Sequence, residues 1–391
     1  MTRIMRSAAA LLALLLLAAP VGAQDLQISG YYEHTLNADY SESSKELIMD
    51  ASKLRLDFAS GVPGGLSFNG NMNYIVYHGE ISRNITPFLP PSVQAVFTQL
   101  GLPAEITLPR ERLYLDNAYL TWEKGKVRFR AGKQQLAWGS AYSFSPTDLF
   151  HQKDMLDPTY EKEGVTALRF DYRWGIGGNL SLIAAPGDRI AESGYAVRLG
   201  THVSSIGYDI AMTAHSVTDS TSFDPITWMP VIQKRRALGL EFTGSLFGLG
   251  LWFEGNYNFM ETEDDFLRAA IGFDYTLNNG LYIMAETLIN QRAGTTTPYP
   301  VHDWLAYLSY GEPISNQWYL VGLGKDIGDL SNGGLYLFAT PDGSFVLNPR
   351  LDFSIAQNAD LIIFGGITMG DDEGAFPPGY YSLVARATVW F

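Results

Sequence analysis

The 391-residue chain contains no cysteine. That excludes a disulfide framework, a thiolate metal site and a thiol nucleophile. Beyond its N-terminus it also has no run of about 18 apolar residues, so no segment is built to cross a bilayer as a helix. Cations are scarce: 27 Lys and Arg stand against 41 Asp and Glu, a formal charge of −14. Such acidity argues against nucleic acid or an anionic surface as a partner. The six histidines show no metal-ligand spacing, and no group of residues calls for a cofactor. No Pro- or Ser-rich linker divides the chain, so it reads as one unit.

What is present begins with a separable N-terminus. Arg3 and Arg6 precede a twelve-residue apolar run from Ala8 to Ala19, and Val21-Gly22-Ala23 closes it with small residues. This pattern predicts a secretory signal peptide over residues 1–23. No Cys follows it, which excludes a lipoprotein. Its removal deletes two Arg and no acid, giving 25 − 41 = −16 for the remainder. Residues 24–391 are then expected to form a single exported domain, in periplasm, outer membrane or medium.

That domain alternates with period two. Lys53, Arg55 and Asp57 interleave with Leu54, Leu56 and Phe58; Arg169, Asp171 and Arg173 interleave with Leu168, Phe170, Tyr172 and Trp174. The same holds around Asn71, Glu254, Arg268 and Arg350. Successive side chains of a strand point to opposite faces, so one face suits hydrocarbon and the other water. The segments run to about ten residues, the length a tilted strand needs to cross a bilayer. The last stretch, YYSLVARATVWF, is apolar at Tyr381, Leu383, Ala385, Ala387, Val389 and Phe391. In a sheet closed on itself this last strand pairs with the first and removes both edges.

Short turns at 61–65, 123–126, 175–178, 204–207, 246–248, 278–280 and 357–359 alternate with longer connections. The long ones fall at 37–46, 79–110, 139–163, 218–233, 291–300 and 370–379. This asymmetry predicts an all-β, transmembrane antiparallel β-barrel of 16–18 strands, with 18 preferred, short periplasmic turns and longer extracellular loops. Taking 305–309, 318–325, 335–340 and 345–355 all as strands gives 19, so one of the first three is expected to be loop.

Lys53, Arg55, Arg128, Arg130, Arg169, Asp171, Arg173, Arg198, Arg235, Glu254, Arg268, Arg350 and Arg386 share the water-facing parity and are the candidate pore lining. Asp57, Asp209, Glu241, Asp274, Glu286 and Asp352 lie on it too. The plain alternative is that acids and bases pair across strands in a filled interior. The 79–110 loop carries Pro87, Pro90 and Pro91, then a possible short helix from Ser92 to Leu100. Val93, Val96, Phe97 and Leu100 would share one face, either packing the loop on itself or forming an apolar gate.

The sharpest motif is Gly132-Lys-Gln134-Gln-Leu-Ala-Trp138-Gly139, then Pro146-Thr-Asp148-Leu-Phe150, preceded by Asn117-Ala-Tyr-Leu-Thr-Trp122. The two glycines allow close approach of backbone or loop. Trp138 suits an interfacial aromatic belt or the base of a folded-in loop, and Asp148 a turn or cap. Together these residues resemble a broad, largely uncharacterised family of porin-like outer-membrane barrels, specifically over residues 115–175 and architecturally elsewhere. The C-terminal aromatic strand resembles the assembly signal of bacterial outer-membrane barrels. These resemblances imply a location in the bacterial outer membrane, with outer-membrane lipid, lipopolysaccharide, a small-molecule solute and the barrel-assembly machinery as partners. A homo-oligomer stays open. The function expected is passive diffusion of small hydrophilic or amphiphilic solutes; the alternative is transport of fatty-acid-like molecules gated by loop 79–110. A His202-x-Ser204 pair is the one enzymatic hint, and without the rest of an outer-membrane phospholipase pattern no enzyme is expected.

Overall fold

The computed structural model describes residues 26–41, 44–62, 64–102, 104–150, 161–187 and 189–391. The expected signal peptide, residues 1–23, lies outside the described residues, as does the stretch 151–160 of the motif loop. Eighteen strands follow one another around one sheet. They are β1 (Gln27–Ser41), β2 (Ser44–Val62), β3 (Leu66–Gly79), β4 (Glu111–Lys124), β5 (Val127–Gln134), β6 (Val165–Trp174), β7 (Gly178–Ala185), β8 (Gly194–Val203) and β9 (Tyr208–Phe223). The second half comprises β10 (Pro230–Leu246), β11 (Leu249–Met260), β12 (Phe266–Thr276), β13 (Tyr282–Asn290), β14 (Gln317–Gly328), β15 (Ser331–Ala339), β16 (Phe345–Ala356), β17 (Ala359–Met369) and β18 (Tyr380–Trp390).

Each strand pairs antiparallel with its neighbour, and β18 pairs back onto β1 from Tyr31↔Trp390 to Ser41↔Tyr380. Phe391 extends the seam, its N–H and carbonyl each bonding Gly30 at 3.0 Å. Closure leaves no edge strand, so the ladder bonds of the wall are made within the sheet, where no water can supply them. Leu168, Tyr172, Leu182, Leu199, Met212, Leu238, Leu240, Ile271 and Leu383 are all exposed on the outer face. That belt is what the period-two pattern predicts for a surface in hydrocarbon.

Loops fall into two sets by barrel end, and both termini lie at the short-turn end. Two expected long loops are tighter than predicted. β1 and β2 run through most of 37–46, and β9 and β10 through most of 218–233. The polar residues there stay extended because ladder hydrogen bonds continue above the apolar belt. The segment 305–309, a strand candidate, is instead part of helix α2 (Val301–Tyr310), which resolves the surplus strand. Its Pro300 start and the left-handed Gly311 at its end are ordinary helix punctuation. Loop 79–110 carries helix α1 (Pro91–Leu100) beside a two-stranded ribbon, Ser82–Asn84 with Glu105–Thr107.

The barrel is not an empty tube. An apolar core fills the sector under β11–β16: Trp252, Ala270, Met284, Leu288, Trp318, Leu320, Phe338 and Val346 point inward. From the long-loop side they meet Leu89, Val93 and Phe97, Trp304, Ile314 and Phe376. Aromatic edges interlock there, with Trp318 at 5.2 Å from Phe376 and 6.2 Å from Phe144. Val93 and Phe97 belong to this core, but Leu100 is 47% exposed and Val96 only partly covered. The expected four-residue face is therefore a two-residue one, because α1 ends where its last turn leaves the core.

Candidate channel constriction

The connection between β5 and β6 turns into the barrel. Gly132 has φ +127°, and a Cβ there would lie 2.3 Å from the Ala118 carbonyl oxygen, so only glycine fits. Gln134 is fully buried and donates from Nε2 to the Ala167 carbonyl at 2.9 Å. Leu136 and Trp138 then lie against Ala167, Ile183, Ala185 and Ala196 on the inner faces of β6–β8. Small residues at those positions leave the volume the large ones occupy. The Trp138 ring meets the buried His215 imidazole edge-on at 5.3 Å, and Phe150 reaches the same ring at 6.2 Å. Trp138 is thus the base of a folded-in loop and not part of an interfacial belt.

Two carboxylates hold the next turn. Glu254 of β11 accepts the N–H groups of Ser140 at 2.8 Å, Ala141 at 2.9 Å and Thr147 at 2.7 Å, and the Thr147 hydroxyl at 2.7 Å. Glu286 of β13 accepts the N–H groups of Tyr142 at 2.6 Å and of Ser143 and Phe144 at 2.9 Å. It also accepts the Trp252 indole N–H at 2.6 Å. Burying a carboxylate costs several kcal/mol, and charge-assisted bonds of about 1.5–3 kcal/mol each offset that cost. Gly139 makes the approach possible: its φ is +103°, and a Cβ would lie 2.6 Å from both Glu254 oxygens. Asn256 donates to the Pro146 carbonyl, and Asp148 pairs with Lys162 of the return limb.

The return limb docks on the other wall. Glu161 accepts the Tyr31 hydroxyl at 2.7 Å and pairs with Lys53 at 2.7 Å and Arg55 at 3.5 Å. Gly164 donates to Asp116 at 2.9 Å. β2 and β11 are 11 − 2 = 9 strands apart, half of the 18-strand circuit. The described limbs of this connection, 135–150 and 161–164, are therefore pinned on opposite sides of the lumen. Toward the short-turn end a cavity of about 1100 Å³ remains, lined by Tyr142, Tyr336, Arg350, Asp352 and Asp326 among others.

The water-parity residues all lie on the inner face, but they differ in what they touch. Arg55–Asp57 and Arg169–Asp171 at 2.9 Å, and Arg350–Asp352 at 2.7 Å, are pairs two residues apart on one strand. Arg198 grips Glu241 at 2.7 Å, and Arg128 pairs with Glu123 at 2.6 Å, a carboxylate that Arg173 shares. Arg386 bonds the Thr35 hydroxyl at 3.2 Å and faces Glu33 at 3.7 Å. Arg235 and Arg268 are nearly buried and face protein, as does Glu254, which is 0% exposed. With Arg292 from the β13–α2 loop, their guanidinium carbons lie 5.1, 5.7 and 5.3 Å from the Phe266 ring. Arg292 bonds Asp219 and Glu263 at 2.8 Å each, and Arg268 bonds Glu312. Burial alone would raise the Glu312 carboxyl, but Arg268, Arg292 and Arg235 hold it below its ordinary value.

Arg130 stands apart. Among the described residues it makes no ion pair. Its Nε has no hydrogen-bond partner, its guanidinium stacks 4.7 Å from the Tyr119 ring, and its register partner is another cation, Arg169. His202, for its part, meets Asp209 at 3.0 Å, while Ser204 lies in the turn beyond. Glu161 and Tyr31 hold the loop with no signal in the sequence, and the parity that placed Glu286 on the inner face did not show that it holds the loop. Glu286 had a readable signal, as the lone charge in the strand YIMAETLIN.

No family model matches this sequence, and no curated protein does. Solved structures do match in fold. Acinetobacter baumannii OccAB1 superposes with a TM-score of 0.60 at 10% identity, covering 94% of this chain and 97% of that one. A. baumannii OccAB4 gives 0.58 at 12%, with 95% and 100% covered. The outer membrane protein OprD of Pseudomonas aeruginosa gives 0.56 at 8%, with 95% of each covered. The 18-stranded barrel of this chain thus shares its fold with these proteins over 94–95% of the chain.

Proposed function

We propose that this protein is a channel of the bacterial outer membrane, through which small charged or polar solutes diffuse past the loop of residues 135–164. The observation that carries this reading is the clasp of the loop's described limbs, by Glu254 and Glu286 on one side of the lumen and Lys53 and Arg55 on the other. A loop held so firmly narrows a barrel without sealing it, and the sector away from the apolar core is walled by ion pairs and by Arg130. Fixed charge at a narrow place selects among ions. The motif residues Gly132, Gln134, Trp138, Gly139, Pro146, Asp148 and Phe150 then act by shaping the constriction. Transport of fatty-acid-like molecules has less support, since Val93 and Phe97 are locked in a core with Trp304 and Ile314.

The test is single-channel recording of the purified protein in planar bilayers, with candidate solutes titrated into the bath. Discrete conductance steps, interrupted by the solutes that bind, are the expected result. Silence from folded, heat-modifiable protein overturns the channel.

A further inference from the structure

The outer face of the barrel at the β18–β1–β2 seam is not the surface lipid alone would select. In β1 the outward parity is Ile28, Gly30, Tyr32, His34, Leu36, Ala38 and Tyr40; in β2 it includes Asp50, Ser52, Leu54 and Leu56. Two aromatic levels bound this strip. Phe391 bonds Gly30 at the short-turn end, and the Tyr40 and Tyr381 rings meet at 6.0 Å at the other. Ten residues of tilted strand between them span about 25 Å, the height of a hydrocarbon band.

His34, Asp50 and Ser52 fall near the middle of that band. His34 is exposed, and its Nδ1 meets the Ser52 hydroxyl at 3.1 Å; the Tyr32 hydroxyl donates to the same Ser52 at 3.1 Å. Asp50 stands opposite Leu36 and His78, and its Oδ1 is buried with no hydrogen-bond partner. Beside them, small side chains line up across the seam: Ala387 opposite His34, Ala385 opposite Leu36, and Gly365 with Ala38 flanking Leu383. Half-way round, β10 presents Leu238, Leu240 and Phe242 instead. A carboxylate and an imidazole facing acyl chains are costly, and such groups are retained where something polar covers them.

We infer that this face is the contact between two copies of the protein in the membrane. Lipid tails offer neither donor nor acceptor, and lipopolysaccharide places its phosphates and sugars at the membrane surface, above this level. The same face on a second copy offers both: an imidazole donor for Asp50, a carboxylate for His34, and a shallow trough of Ala and Gly that lets two walls approach. The inference rests on the barrel spanning a membrane and not on its conducting, so conductance can fail without touching it.

The chain's lack of cysteine makes the test direct. Single cysteines are introduced as Ser52→Cys and Ala385→Cys, alone and together, with Leu238→Cys as the far-side control, and intact membranes are mildly oxidised. A covalent species of two or more copies is expected from the seam positions and none from Leu238→Cys. Asp50→Leu in the crosslinking background is expected to lower its yield at least fivefold. Native mass spectrometry of the unmodified protein, extracted in mild detergent, is expected to show more than one copy, and it decides the matter if a variant misassembles. Crosslinking no greater at the seam than at Leu238→Cys overturns the inference. So do single copies throughout, whether bare, lipid-bound or joined to a different protein.

Discussion

At the scale of single residues, the interior separates arginines paired along their own strands from Arg130, which makes no ion pair among the described residues. The three Arg-x-Asp pairs on β2, β6 and β16 neutralise themselves within one strand. Arg130 keeps its charge for the lumen. A unit charge about 6 Å from an ion in water is worth about 0.7 kcal/mol, roughly threefold in occupancy. Arg130→Ser is therefore expected to shift the anion-to-cation permeability ratio about threefold toward cations, read from the reversal potential in a salt gradient. Arg350→Ser, which leaves Asp352 unpaired, is expected to act in the same direction. An Arg130→Ser reversal potential equal to that of the parent removes this residue from the filter. Its special status was only half legible: alternation places it inside, but whether a carboxylate reaches it depends on neighbours from β4 and β6.

At the scale of elements, the constriction loop behaves as a strap with two buckles. Glu286→Ala strands three backbone N–H groups and an indole N–H that no water easily reaches, each at a cost of about 1–3 kcal/mol. The expected outcome is a barrel that still folds, with larger and noisier conductance steps as residues 140–147 leave the wall. Unaltered steps from a folded Glu286→Ala protein mean that the loop does not set the pore. Helix α2 carries a pH dependence of its own. Burial pushes the Asp303 carboxyl up to about 6, against the pull of His302 and of the Gly294 N–H it accepts at 3.1 Å. Between its ordinary value and about 6 the folded form holds the proton and the open form does not. Closing of the loop is then favoured at low pH and weakens as pH rises through about 6. Amide exchange across residues 294–310, corrected for intrinsic rate, is expected to quicken over that interval. Asp303→Asn is expected to flatten the change, and a profile identical in that variant locates the titration elsewhere.

At the scale of the whole molecule, the seam completes the fold. β18 contributes both a lipid-facing ladder and the hydrogen bonds that remove the edge of β1. Deleting Phe391 takes away two bonds to Gly30 and an outer-face aromatic. It is expected to lower the fraction of protein reaching the heat-modifiable form several-fold, while protein already folded conducts normally. Full assembly of the truncated chain, measured by gel shift, shows that the last residue is dispensable for closure.

The sequence by itself determined the wall. Period-two alternation, the two loop sizes and a terminal amphipathic strand are local facts, because a strand's facing depends only on parity and its span only on length. That is why Lys53, Arg169 and Arg350 lie on the inner face as expected, and Leu168 and Leu383 on the outer. The motif from Gly132 to Phe150 stood out for the same reason, its glycines marking a backbone that must pass close to something. What the glycines pass close to, only the tertiary structure decided. Glu254 and Glu286 lie more than a hundred residues from the loop they hold. Segment 305–309 shows the limit from the other side: five apolar and polar residues fit either period, and packing against the core chose the helix. Strand facing is written in neighbours along the chain; what fills the lumen is written in neighbours across it.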